Sequence, residues 1–217
     1  MIVSTQNSVT LLGASAVSVE DIEEILPFAP ILVAADGGAE TAMATGRTPD
    51  AVIGDFDSLP QLVRETIPID RIHPIAEQET TDFEKCLSRI DAPLILAIGF
   101  AGRRLDHELA VYNALVRHPE RRCIVIGSHD VAFHAPRTLV MDLPEGSRLS
   151  LFPMAGVEGR SAGLRWPIDG IRFAPDGRIG TSNEVIGPVR LGFEGDGMLV
   201  IVPRAALAVA IAALTPG

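Results

Sequence analysis

Four aspartates occupy positions from which acidic side chains can converge: Asp36 in Ala35-Asp36-Gly37-Gly38, Asp55 and Asp57 in Gly54-Asp55-Phe56-Asp57-Ser58, and Asp82 in Thr80-Thr81-Asp82-Phe83-Glu84. Asp55 and Asp57 are two residues apart beside a glycine. In a turning or extended backbone both carboxylates project toward one point, and Gly54 gives a ligand room for close approach. Oxygen ligands of this kind suit a hard cation, and Mg²⁺ is usually held by one or two carboxylates together with several waters and substrate phosphates. Asp36, Asp55, Asp57 and Asp82 are therefore the candidate Mg²⁺ ligands, set against the phosphates of a nucleotide. A single D-x-D is also what an ordinary turn contains, and Thr-Thr-Asp is also a helix cap. The recurrence of the pattern at several comparable places is what points to a metal.

Arg104-Leu105-Asp106-His107 adds a cation and an acid at the start of another segment, with a surface ion pair as the alternative reading. Of the five histidines only His107 has such neighbours. There is no GxxxxGK[ST], and Lys85, the only lysine among 18 basic residues, has no glycine-rich loop before it, which excludes a P-loop enzyme. GxGxxG, GxSxG and HExxH are also missing.

The elements that must position these residues alternate between strand-like and helix-like. Apolar runs at 9–14, 31–35, 51–53, 94–98 and 123–126 read as buried strands, and 39–45 and 105–116 as helices. Ser18 caps a helix through 24–26, Gly46 closes the helix before it, and Thr81 with Glu84 has capping-box spacing for a helix running toward residue 90. Such alternation predicts an α/β fold with a parallel sheet covered by helices, whose ligands sit at the carboxyl ends of the strands. Asp36, Asp55, Asp57 and the 99–106 loop fall at those ends. From about residue 132 the pattern changes to short runs punctuated by Gly and Pro, at 139–141, 149–152, 171–173, 189–191 and 198–201, which predicts a small antiparallel sandwich or barrel. The Ala-rich stretch after Pro203 reads as a short helix packed on the body or on a partner.

With 217 residues, 47% of them hydrophobic, the chain has material for one large domain or two smaller ones with real cores. Its 28 acidic residues against 18 basic ones give a net charge of -10, which repels nucleic acid and anionic membranes. Cys86 and Cys123 form no CxxC and no zinc spacing, and read as buried thiols in a reducing compartment. The first residues lack a basic segment followed by a long apolar run, and the most apolar stretch, 205–214, is too short to span a bilayer. A cytoplasmic location is expected.

Taken in order, Ala35-Asp36-Gly37-Gly38-Ala39, Pro49-Asp50 with Gly54-Asp55-Phe56-Asp57-Ser58, Gln78 with Thr80-Thr81-Asp82-Phe83-Glu84-Lys85, Gly102 with Arg104-Leu105-Asp106-His107, and Ser182-Asn183-Glu184 resemble the thiamine pyrophosphokinase family. Gly163-Leu164-Arg165-Trp166-Pro167 resembles the segment preceding Ser-Asn-Glu in that family. The resemblance implies transfer of a diphosphoryl group from ATP to the hydroxyl of thiamine, with release of AMP. It implies a homodimer with thiamine bound between subunits, an α/β nucleotide-binding catalytic domain over 1–135 and a β-sandwich thiamine-binding and dimerisation domain over 136–217.

Carried onto this chain, Asp36, Asp55, Asp57 and Asp82 hold Mg²⁺, while Asp36, Gly37, Gly54, Ser58, Arg104 and His107 contact ATP. Gln78, Thr81, Asp82, Asp106, Ser182 and Asn183 position thiamine. Asp55, Asp57, Asp82, Arg104 and Asp106 are the catalytic set, with Asp82 or Asp106 accepting the hydroxyl proton. Trp166 is either a stacking partner for thiamine or a core residue. Two positions depart from the family's pattern: Arg103 replaces the second glycine of GGRxDH, and Glu79 replaces the first aspartate of QDxTD. Diphosphoryl transfer to another heterocyclic alcohol such as a hydroxymethylpterin, and a non-catalytic thiamine or nucleotide sensor, are the alternatives.

Overall fold

The computed structural model describes residues 1–57 and 59–215; the expected ATP contact Ser58 lies outside the described residues. The chain divides into two compact units, Met1–Ala114 and Leu115–Gly217.

The first unit contains β1 (Val3–Ser4), β2 (Val9–Leu12), α1 (Val19–Ile25), β3 (Ile31–Ala35), α2 (Gly38–Ala44), β4 (Ala51–Gly54), α3 (Gln61–Thr66), β5 (Ile72–Pro74), α4 (Asp82–Leu87), β6 (Ile90–Asp91), β7 (Ile95–Ile98) and α5 (Leu105–Arg117), which runs past the division. The continuous apolar runs become strands buried on both faces, as in any sheet sandwiched by helices: every residue of β2, β4 and β7 is buried. The sheet is parallel, in the order β5-β4-β3-β2-β7. Since β3 lies on one side of β2 and β7 on the other, the loops after β2 and β7 diverge at the carboxyl edge and leave a crevice there. Ala34, Ala39, Val52, Phe56, Leu59, Ile67 and Ile72 fill the space between sheet and helices on the β3–β5 side.

Local signals fix the helix ends. Asp21 N–H donates to Ser18 Oγ at 3.1 Å and Ser18 N–H to Asp21 Oδ2 at 3.0 Å, a complete capping box on α1. Gly46, at φ 75°, ends α2. α4 stops at Leu87, short of the expected residue 90, because Ile90 and Asp91 pair in parallel with β1. Cys86 is fully buried and free, as is Cys123 of the second unit, and burial pushes both thiols well above their ordinary range.

The second unit contains β8 (Cys123–Ile126), β9 (Asp130–His134), β10 (Thr138–Met141), β11 (Arg148–Pro153), β12 (Val157–Leu164), β13 (Arg172–Phe173), β14 (Gly180–Phe193), β15 (Met198–Pro203) and α6 (Leu207–Leu214). Its strands pair antiparallel: β8 with β9, β9 with β15, β15 with β11, β11 with β14. The 14-residue β14 then continues between β10 and β12. The expected short run at 189–191 is the end of this long strand, and Ser182-Asn183-Glu184 forms its beginning. α6 buries Leu207, Ala210 and Leu214 and packs on β10. The compact units divide at 114/115, and the strand Cys123–Ile126 of the second pairs antiparallel with its successor. No helix among the described residues is long and apolar enough to cross a membrane.

Candidate active site

The register of β3 on β4 pairs Ala35 with Ile53, so the residues that follow, Asp36 and Gly54, leave the sheet side by side. The Asp36 main chain is pinned: its N–H donates to Ile53 O and its C=O accepts from Ala39 N–H, both at 3.0 Å. Its φ of 39° is unusual for a residue with a side chain. The carboxyl group is 3% exposed and its Oδ1 has no hydrogen-bond partner. A buried carboxylate oxygen left unsatisfied is costly, so this atom is poised for a cation or donor from outside the chain. Gly54 was expected to make room for a ligand; the structure uses that room for Asp36, because a Cβ at Gly54 would stand 2.8 Å from Asp36 Cβ and 3.1 Å from its Cα.

Asp55, Asp82 and Lys85 form the second part of the site. Lys85, 2% exposed, donates from Nζ to Asp55 Oδ2 at 2.6 Å and to Asp82 Oδ1 at 3.2 Å. α4 sets the Asp82–Lys85 pair, three residues apart on one face. The hydrogen bond from Lys85 holds the Asp55 carboxyl below its ordinary range. Burial pushes Asp82 up, overcoming the ammonium's pull, with Asp36 and Asp55 adding to the rise. Burial also opposes the Lys85 charge, but the two carboxylates outweigh it and hold the ammonium above the ordinary lysine range. Gln78 Nε2 donates to Asp55 Oδ2 at 3.2 Å, so this expected thiamine contact braces a carboxylate. Between Asp55 and Asp57, Phe56 turns with φ 65° and buries its ring, over which Arg64 lies at 5.4 Å. Asp57 N–H donates to Asp55 Oδ1 at 3.3 Å while its own carboxylate faces solvent.

Among the described residues no three His, Cys, Asp or Glu side chains are grouped as a ready metal site. Lys85 neutralises Asp55 and Asp82. Asp36 and Asp82 instead share a cavity of about 340 Å³ with Ala14, Ser15, Gly37, Thr81, Gly99, Phe100, Arg103, Arg104 and His107 among its walls. These residues come from the loops after β2, β3 and β7 and from the starts of α4 and α5, the crevice that the strand order creates. Arg104 is paired bidentately with Asp106, Nη2–Oδ2 2.6 Å and Nε–Oδ1 3.1 Å, on an exposed face. The guanidinium beside Asp106 holds its carboxyl below the ordinary range, which makes it a poor proton acceptor. Arg103 donates to Ala14 O at 3.2 Å, tying the loop after β7 to the loop after β2. Glu77 accepts from Thr80 Oγ1, Glu79 N–H and Thr80 N–H, and so folds the 77–80 loop that carries Glu79.

In the second unit, Asn183 is buried and both its amide oxygen and its amide nitrogen are hydrogen-bonded. Oδ1 accepts from Trp166 N–H at 3.1 Å and from Glu184 N–H at 2.9 Å, and Nδ2 donates to Trp166 O at 2.7 Å. Asn183 therefore clamps the Trp166 segment. Trp166 is 55% exposed, not core, with Arg165 lying 5.9 Å over its ring and paired with Glu184 at 3.1 Å. Ser182, exposed at φ 61°, donates its N–H to Ser150 Oγ at 3.0 Å.

Residues 22–126, which include every expected metal ligand as well as Lys85 and Arg104, match the family described as thiamin pyrophosphokinase, catalytic domain. A protein from Oryza sativa subsp. japonica named thiamine pyrophosphokinase 1 is 29% identical over 215 residues, covering 80% of this chain and 81% of the relative. Solved structures share the fold: thiamin pyrophosphokinase from Candida albicans superposes with a TM-score of 0.75 at 18% identity, covering 91% of this chain and 89% of that one. That from Geobacillus thermodenitrificans superposes with a TM-score of 0.73 at 23% identity, covering 90% and 96%.

Lys85 and Glu77 are the site residues that the functional reading of the sequence passed over. The three-residue interval from Asp82 to Lys85 on a capped helix was a visible signal for one ion pair. Nothing in the spacing marked Asp55, thirty positions away, as the other partner.

Proposed function

We propose that this chain is a thiamine pyrophosphokinase, transferring a diphosphoryl group from ATP to the hydroxyl of thiamine and releasing AMP. The observation that carries the reading is the unpartnered, buried Asp36 Oδ1 in a cavity that also holds Asp82 and Arg104. An acid alone would repel the triphosphate, so the site needs a divalent ion, and the orphaned oxygen fits one. Asp36, Asp82, Asp55 and Asp57 are the residues that would hold Mg²⁺, one or two at a time. Bound Mg²⁺ supplies positive charge that offsets the phosphate oxygens during transfer.

The chain's own residues do the rest. Gly37 and His107, together with Arg104 once it leaves Asp106, line the path of the phosphate chain; Ser58 belongs to the same expectation. Asp82 is the better proton acceptor for the attacking hydroxyl, since burial makes it more basic while Arg104 keeps Asp106 weakly basic. Thr81 and Gln78 border the same region. Exposed Trp166, held by Asn183 and flanked by Ser182, is a platform for the cationic rings of thiamine.

The second unit, whose β14 passes between two sets of partners, is read as a β-sandwich that binds thiamine and mediates a homodimer, and the protein as cytoplasmic. Incubation with ATP, Mg²⁺ and either thiamine or a hydroxymethylpterin, with AMP and product measured, tests the assignment. AMP formed with thiamine supports it, AMP formed with the pterin alone transfers it to another alcohol, and ligand binding without AMP makes the chain a sensor.

A further inference from the structure

Seventeen of the 18 Lys and Arg residues are arginines, and the single lysine is the most buried cation in the site: Lys85, at 2% exposure, touching Asp55 and Asp82. A compact ammonium can sit at one point between two carboxylates, where a planar guanidinium would impose a forked geometry. A divalent ion between the same carboxylates would occupy much the same place. We propose that Lys85 is an internal counter-cation, a positioning residue that holds Asp55 and Asp82 in the absence of nucleotide and keeps free metal out. Metal then enters only with nucleotide phosphates, using the carboxylate oxygen that Lys85 leaves unserved, Asp36 Oδ1.

Three observations carry this. Both ammonium contacts, 2.6 and 3.2 Å, are at hydrogen-bonding distance. The Asp55 and Asp82 carboxylates are taken up by Lys85, while the buried Asp36 Oδ1 has no hydrogen-bond partner. Gln78 braces Asp55 Oδ2, the oxygen Lys85 contacts, so the pair is fixed from both sides. A purely structural ion pair tying α4 to β4 would share the contacts but would have no bearing on metal uptake.

The inference rests on the metal-nucleotide reading above, and its test is separate from turnover. Mn²⁺ alone, followed by electron paramagnetic resonance, is titrated into the full chain without nucleotide, using wild type, Lys85→Met and Lys85→Arg. Wild type and Lys85→Arg are expected to bind Mn²⁺ weakly, and Lys85→Met to bind it roughly tenfold or more tightly, because two partly buried carboxylates lose their cation. Equal Mn²⁺ affinity in wild type and Lys85→Met overturns the proposal. Should Lys85→Met not fold, wild type decides alone: its Mn²⁺ affinity is expected to rise sharply when a non-hydrolysable ATP analogue is present, and tight binding without the analogue sinks the idea. AMP release by the wild type is scored independently, so loss of the enzymatic reading and loss of the counter-cation role give different results.

Discussion

Replacing Gly54 by alanine puts a direct test on how the site is built. The new Cβ would lie 2.8 Å from Asp36 Cβ, 3.1 Å from its Cα and 3.2 Å from its N. Carbon atoms pack comfortably at about 3.5–4.0 Å, so roughly 0.7 Å must be found somewhere. Side-chain rotation cannot supply it, because two of the three atoms are backbone and that backbone is held at both ends by hydrogen bonds to Ile53 and Ala39. β3 and β4 must therefore part locally.

Overpacking of this kind costs about 1–3 kcal/mol, or a fall in Tm of about 2–12 °C for a chain of this size. Asp36 moves with it, and a displacement of about 1 Å at a ligating group costs on the order of 10²-fold in rate. Calorimetric melting and steady-state AMP release measure the two effects. Gly156→Ala, where a Cβ meets nothing within 4 Å, is the control and should change neither. A Gly54→Ala protein that melts and turns over like the wild type would refute the claim that this glycine exists to admit Asp36.

Asp57→Asn is expected to cut kcat by about 10²–10³-fold with the far-ultraviolet spectrum unchanged; near-normal turnover removes Asp57 from the machinery. Asp55 and Asp82 should part company in stability. Asp55 has a lowered pKa, so its ionised form stabilises the fold above the ordinary carboxylate range, and that contribution disappears as acid carries pH through its folded value. Asp55→Asn should thus lower Tm at neutral pH and converge with wild type in strong acid. Asp82 has a raised pKa, so ionisation costs stability as pH rises through its folded value. Asp82→Asn should keep or raise Tm at neutral pH while losing activity, and a large drop in Tm contradicts the assignment. Asn183→Ala removes the clamp on Trp166 and should raise KM for thiamine by about tenfold while leaving KM for ATP alone; equal rises in both would mean a general loss of structure.

The parallel half of the fold was legible because its strands are uninterrupted apolar runs closed by capped helices, as at Ser18 and Gly46. The short elements α3 and β5 were not, since six and three residues carry no readable period. Of β14, Gly180–Phe193, only 189–191 was read as a strand, directly after Gly187-Pro188. The strand tolerates the proline where its partner β12 has a register shift around Gly163, at φ 78°, whose backbone packs so close that a Cβ there would stand 2.3 Å from Pro188 O. The acidic residues were found, but their pairing was not. Sequence spacing brings Asp36, Asp55 and Asp82 to one edge; only the packed chain shows that a buried ammonium joins two of them and leaves the third open. Asn183 illustrates the same limit, because a polar residue in a recognised motif looks identical whether it touches substrate or holds a neighbouring loop.

The solitary lysine has a practical side. Apart from the terminal amine, Lys85 is the sole primary amine in the chain, and it is sealed behind two acids. Acylating reagents that decorate ordinary proteins at dozens of places have one internal target here, reachable only when the pocket breathes. The rate of mass gain at that nitrogen, followed by mass spectrometry, therefore reads out how often the closed arrangement opens, without any engineered probe.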